Sequence, residues 1–308
     1  MLQRDFYRQF PDENSCKLHF KQIRDRDGVI CKKCGGTHHY WLCSKWQYQC
    51  KDCGFRTTLR SGTLMESSKL PFKIWYEAIF LISNTAKSIS ARQLQRQLGY
   101  SRYEPIWYML HKIRSAMGKE LNQIELQGHV ELDDSFFPVK KPKVEGQELF
   151  RTGRGSEKKQ GVLVYAESEL VPDEKRKKNK PTRRCKRFRM VMVDSFKQEI
   201  VQWHTLKHAS EATVWTDGYW SFRNLKEVTR QHVRQIVPSD DAHVMLPWVH
   251  IAIGNAKRLI NGVFHHVNKE YLQNYLDEFC YKLNHRYSKS LFTRLIHLGA
   301  TDVWYANG

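Results

Sequence analysis

At 308 residues the chain has room for two or three domains, and 51 Lys and Arg against 32 Asp and Glu leave a net charge of +19. That surplus points to a polyanionic partner, nucleic acid before membrane. A hydrophobic share of 41% with 12% aromatics excludes a wholly disordered basic protein.

No apolar run approaches the length of a bilayer span, and residues 78–82 read as a core-helix stripe. Residues 1–5 lack the apolar segment of a secretory signal. These features lead us to expect a cytoplasmic protein in a reducing compartment, whose eight cysteines are not a disulfide framework.

Residues 1–26 mix charge with Phe6, Phe10, Leu18, Phe20 and Ile23; the last three suit an amphipathic helix starting at Pro11-Asp12. The most specific local signal comes next, in 27–62. Cys31-Lys32-Lys33-Cys34 and Cys50-Lys51-Asp52-Cys53 are two C-x-x-C knuckles at the spacing of a structural zinc ribbon. Gly35, Gly36 and Gly54 follow the knuckles where the turn needs unusual dihedrals. Tyr40-Trp41-Leu42 and residues 46–49 read as the ribbon strands. Redox chemistry needs one such knuckle and does not explain two. Cys43 is a spare, and Cys16, Cys185 and Cys280 read as core or free thiols. Lys32, Lys33, Lys45, Lys51, Arg56 and Arg60 make the ribbon basic, which suits DNA contact and protein docking alike.

Residues 69–120 read as helices. Leu70-Pro71 is a start signal for a stripe of Phe72, Ile74, Trp75, Ala78, Ile79 and Ile82. Ser90 caps a short helix that ends at Gly99, and Ser101, Arg102 and Tyr103 open a longer one through Trp107, Leu110 and Ile113. This layout fits a helix-turn-helix that presents Ser101, Arg102 and Tyr103 to a major groove, and equally an ordinary helical bundle.

From residue 128 the pattern changes to strands. Val130 and Leu132 alternate with Glu131 and Asp133, and a carboxylate pair on one strand face can hold a hard cation. Asp133 is preferred to Asp134, since neighbouring strand residues face opposite ways. Glu131 and Asp134 are second choices. A loop with Lys140, Lys141, Lys143 and Gly153-Arg154-Gly155 leads to a buried strand at 161–166. A basic connector comes after it, residues 175–180 with Arg183, Arg184, Lys186 and Arg187. Such blocks are normally solvated, and here they also suit DNA phosphates, with salt-dependent affinity. Further strands are expected at 188–193, 214–216 and 232–237. Asp217-Gly218 closes one of them, as a ligand-bearing turn or an ordinary cap. Pro247 opens a helix with His250, Asn255, Lys257 and Arg258; Asn261-Gly262 ends it, and Asn268 caps the next. Hard-cation sites prefer oxygen, so His250, His265 and His266 are read as packing or phosphate contacts.

The order Asp133, Asp217, then a polar residue on the following helix is that of ribonuclease-H-like transposases and integrases. The chain resembles the zinc-ribbon insertion-sequence transposases called the IS-fifteen-ninety-five, or ISXO-two-like, family. The matching stretches are residues 130–135, 154–159, 216–219 and 250–257, continuing through Gly262, His265-His266, residues 275–279 and Asn284-His285-Arg286. The resemblance implies an α/β fold with a mixed, ribonuclease-H-like sheet over 128–290. Ahead of it stand the zinc ribbon and helix-turn-helix segment, and residues 291–308 are left as a tail. It implies structural zinc on Cys31, Cys34, Cys50 and Cys53, and magnesium or manganese on Asp133, Asp217 and Asn255, with Lys257 steering a phosphate. The expected partners are double-stranded DNA, as terminal inverted repeats and target, and a second copy of the chain. Two departures stand out: Asn255 where most relatives carry Glu, and Phe137-Pro138 where members tend to carry paired glycines. A DNA-binding regulator, or a transposase reduced to binding, is the competing reading.

Overall fold

The computed structural model describes residues 1–140, 158–172, 182–235, 245–265 and 267–303. The basic stretches at 141–143, 153–155 and 175–180, the family loop at 154–157, Ile236-Val237 and His266 lie outside the described residues. The chain divides into two compact units, Met1–Met117 with Tyr287–Gly308, and Gly118–Arg286.

In the first unit, α1 (Gln3–Gln9) and α2 (Glu13–Asp27) precede the ribbon. Asp12 accepts the Ser15 N–H at 2.8 Å while Ser15 Oγ takes the Asp12 N–H, a reciprocal cap that starts α2 at the expected place. Phe20 and Ile23 are buried, but Leu18 is 52% exposed; Cys16 and Arg24 complete the buried face instead. Arg24 is satisfied by the carbonyls of Leu59 and Ser61 at 2.8 and 2.7 Å, which ties α2 to the chain leaving the ribbon. The ribbon is β1 (His39–Leu42), β2 (Gln47–Cys50) and β3 (Arg56–Thr58), all antiparallel.

Helices α3 (Phe72–Asn84), α4 (Ala91–Gln97) and α5 (Tyr103–Asn122) come next. The expected α3 stripe is buried except for Ile74, and Tyr76 and Phe80 join it. Ser90 Oγ accepts the Gln93 N–H, and Gly99 leaves α4 at φ +61°, a conformation glycine adopts without strain. Residues expected as a tail instead form α9 (Leu291–Thr301), whose Phe292 packs edge-on against Phe6 and Tyr76. Its apolar face is sealed by α2 and α3, so the segment is core rather than appendage.

The second unit is built on a five-stranded mixed sheet in the order β6 (Arg183–Val193), β5 (Lys159–Leu170), β4 (Gly128–Pro138), β7 (Ala212–Thr216), β8 (Gln231–Arg234). β4, β5 and β6 are antiparallel neighbours; β7 runs parallel to β4, and β8 to β7. Val130, Leu132, Leu163, Tyr165 and Val214 face a core closed by Val201 and Ala209 of α6 (Gln198–Ala209). Alternation turns Glu131, Asp133, Ser135 and Phe137 to the opposite face. There α7 (Pro247–Leu259) lies against β4 and β5, and α8 (Lys269–Asn284) against β6. Asn261-Gly262 does not end α7; the chain passes through a π turn, Ile260–Phe264, before His265 breaks it at φ +57°. Asn268 occupies the N-cap of α8 without a side-chain capping bond.

The second basic run is corrected in its placement. Arg183, Arg184, Lys186 and Arg187 belong to strand β6, not to a connector, because β5 supplies their partners. Arg183 donates to Ser168 Oγ at 3.0 Å, Arg184 pairs with Glu169 at 2.6 Å, and Lys186 and Arg187 flank the buried Glu167 at 2.8 and 3.6 Å.

Candidate metal and catalytic sites

The four cysteine thiols of the ribbon converge, their sulfurs all lying within 4.8 Å of one another. Cys31–Cys53 and Cys34–Cys50 are each 3.6 Å apart. A tetrahedral zinc with bonds of about 2.3 Å needs sulfur separations of about 3.8 Å, so the donor set fits. Gly35 and Gly54 sit at φ +76° and +70°, as the knuckle turns require. Gly36 is needed for space: a Cβ there would lie 2.2 Å from Asp52 Oδ2 and 3.2 Å from Cys50 Sγ. Cys43 is exposed, while Cys16, Cys185 and Cys280 are buried free thiols.

In the same unit Ser101, Arg102 and Tyr103 are exposed at the start of α5. Gln95 donates to the Ser101 carbonyl at 3.0 Å and fixes the turn from α4, while the Arg92 guanidinium lies 5.0 Å over the Tyr103 ring.

The acidic cluster lies in the second unit. The parallel register pairs Glu131 with Trp215, so two residues further on Asp133, in the middle of β4, comes beside Asp217, the residue that follows β7. Asp133 is half-buried. Burial pushes its carboxyl up to about 7, and the charges of Asp134 and then Asp217 push the same way. Two carboxylates held together against their own repulsion suit a hard divalent cation. Asp217 Oδ1 also accepts the Tyr219 N–H at 2.9 Å, which sets the turn after β7. Asp133 Oδ1 accepts the Asp134 N–H at 2.8 Å.

Helix α7 faces this cluster with His250 and Lys257. His250 Nδ1 lies 3.7 Å from Asp133 Oδ2. Lys257 Nζ lies 5.6 Å over the Phe137 ring; burial and then Lys159 lower its pKa, while Asp133 opposes that shift. Seven residues make about two turns, so these two side chains share a face. Asn255 is five residues from His250, about 140° round the helix. Its Oδ1 accepts from Arg258 Nη2 at 2.6 Å. The structure therefore sets His250, Lys257 and Asp217 around Asp133 and pairs Asn255 with Arg258.

Glu131, a second-choice ligand on sequence grounds, has a different task. Its Oε2 accepts the backbone N–H groups of Trp248 at 2.8 Å and Val249 at 3.1 Å, at the start of α7. Burial pushes this carboxyl up to about 7, against the opposing effect of those two N–H bonds. The two partners lie 117 and 118 residues away, and no local pattern announces them.

The fold and site define an α/β protein with an acidic cluster where β7 ends beside the middle of its parallel neighbour β4, preceded by a four-cysteine ribbon. The sequence profile of the ISXO2-like transposase domain matches residues 125–284, more than half of the chain, and the protein belongs to that family. It is 25% identical over 239 residues to "Uncharacterized protein in transposable element ISH50" of Halobacterium salinarum, covering 73% of this chain and 74% of the relative. Among solved structures it is similar to a pre-cleavage Mos1 transpososome (14% identity, TM-score 0.27, 76% of this chain and 80% of the other). It is also similar to the Mos1 Strand Transfer Complex (13%, TM-score 0.27, 75% and 79%).

Proposed function

We propose that the protein is a DNA transposase that binds the terminal inverted repeats of its insertion sequence and performs metal-dependent strand cleavage and strand transfer. The observation that carries this reading is the parallel register that brings Asp133, within β4, beside Asp217, just past the end of β7. The strand order β6-β5-β4-β7-β8, three antiparallel strands continued by two parallel ones, supports a ribonuclease-H-like catalytic domain.

Asp133 and Asp217 would hold magnesium or manganese, which when bound neutralises charge on the scissile phosphate and activates an oxygen nucleophile. Lys257 would hold a non-bridging phosphate oxygen as a point charge. His250 would accept or donate a hydrogen bond at the edge of the same site. Asn255 is the ligand that family resemblance assigns, and to bind the cation through Oδ1 it would give up its bond from Arg258. Cys31, Cys34, Cys50 and Cys53 would hold structural zinc. Ser101, Arg102 and Tyr103 would contact DNA through a helix-turn-helix. Arg183, Arg184, Lys186 and Arg187 would contribute only by exchanging their present partners for phosphates. The protein would act as a dimer on DNA, one copy for each element end.

The engagement of Asn255 with Arg258 favours one second reading, a transposase reduced to DNA binding. A duplex carrying the repeats that flank the coding region separates the two. Cleavage with magnesium by the wild type and not by Asp217→Asn supports the enzyme; equal binding without cleavage by both supports the reduced protein.

A further inference from the structure

Glu131 is 1% exposed and lies on the same strand face as Asp133, about 7 Å upstream at strand rise. A buried carboxylate needs partners, and so do the first N–H groups of a helix. At α7 these two needs meet. Leu246 offers no side-chain cap, Pro247 has no N–H, and the His250 N–H returns to the Leu246 carbonyl at 3.3 Å. The Trp248 and Val249 N–H groups remain, and one oxygen of Glu131 takes both. The carboxylate also meets the positive end of the helix dipole.

We propose that Glu131 is a positioning residue: by capping α7 it fixes the height and rotation of that helix, so that His250 and Lys257 face Asp133. This rests on the reading of Asp133 as a cation ligand. Anchoring at Trp248 and Val249 puts His250 one residue beyond the cap, and Lys257 two turns further along β4, beside Phe137. Glu131 thereby tunes the site through backbone contacts, without touching the substrate or the cation.

The test compares Glu131→Ala, Glu131→Gln and Asp133→Asn in the full chain. The readouts are Mn²⁺ affinity by electron paramagnetic resonance, duplex binding, melting temperature, and cleavage rate at saturating duplex. Glutamine keeps an oxygen that can accept both N–H bonds. A cap predicts that Glu131→Ala binds Mn²⁺ and duplex like the wild type but cleaves about 100-fold more slowly, the cost of an ångström-scale misplacement. It predicts that Glu131→Gln restores the rate, while Asp133→Asn loses Mn²⁺. Wild-type cleavage by Glu131→Ala overturns the proposal, as does weakened Mn²⁺ binding by Glu131→Gln, which would make Glu131 a ligand. If Glu131→Ala does not fold, the Mn²⁺ affinity and rate of Glu131→Gln decide alone. Wild-type Mn²⁺ binding by Asp133→Asn instead overturns the cation-site reading on which the cap depends.

Discussion

Glu131 Oε2 accepts the Trp248 N–H at 2.8 Å, a bond that joins the strand of Asp133 to the first turn of the helix carrying His250 and Lys257. The candidate site thus has one acid that caps the helix backbone, two residues before the acid that lies 3.7 Å from His250.

The helix phase yields a direct contrast. Lys257→Ala removes the cation that α7 turns towards Asp133 and is expected to slow cleavage by about 100-fold, a loss of roughly 3 kcal/mol of transition-state stabilisation. Asn255→Ala breaks only the Arg258 contact and is expected to cost less than about tenfold, under about 1.4 kcal/mol. Single-turnover cleavage of the two variants measures this, and the reverse ranking would return Asn255 to the site.

Asp133 carries a stability penalty in the absence of divalent cation. Its half-buried carboxylate feels the charges of Asp134 and Asp217. Asp133→Asn is expected to raise stability at about pH 8 by on the order of 1 kcal/mol when chelator is present, while abolishing cleavage. Urea unfolding with and without Mn²⁺ reads the effect, and an unchanged midpoint in chelator would argue against repulsion at the site.

Asp277 gives a pH dependence away from the acidic cluster. Burial pushes it up to about 7, opposed by the Gln273 amide at 2.9 Å and the Arg189 charge. A carboxyl raised in the fold favours the folded state below its unfolded pKa, and that contribution is lost as pH rises through the folded value. The slope from this group is expected to be about 1 kcal/mol per pH unit between roughly 4 and 7. Asp277→Asn should flatten it, as chemical unfolding across this range would show. Gly118 belongs to the same contact: a Cβ there would lie 2.3 Å from Asp277 Oδ2. Gly118→Ala should therefore destabilise the fold, although alanine favours a helix by about 1 kcal/mol.

For the ribbon, Cys50→Ser should release one equivalent of zinc and lower the melting temperature of the protein, while Cys43→Ser should do neither. Metal analysis of the purified variants checks both. Full zinc retention by Cys50→Ser would remove that thiol from the site.

Several features were legible locally. The knuckles are a spacing, the Asp12 cap is a tetrapeptide, and the alternation around Asp133 is the period of a strand. What escaped depended on distant partners. Glu131 reads as a second-choice ligand until α7 supplies its N–H groups. Arg184 and Lys186 read as a solvated run until β5 sets Glu169 and Glu167 beside them. Leu18 fits the apolar stripe of α2, yet Arg24 is buried there because two carbonyls satisfy it. The helix after Ser290 begins at a cap-type residue that makes no side-chain capping bond, and it is held instead by aromatic contacts of Phe292 to Phe6 and Tyr76.

That Asp133 and Asp217 share a catalytic cation is the central claim, and magnesium-dependent cleavage of a duplex bearing the flanking inverted repeats tests it most directly. The predicted result is nicking at the element ends by the wild type and none by Asp217→Asn, with both proteins binding the duplex equally. Equal cleavage by the two proteins would contradict it.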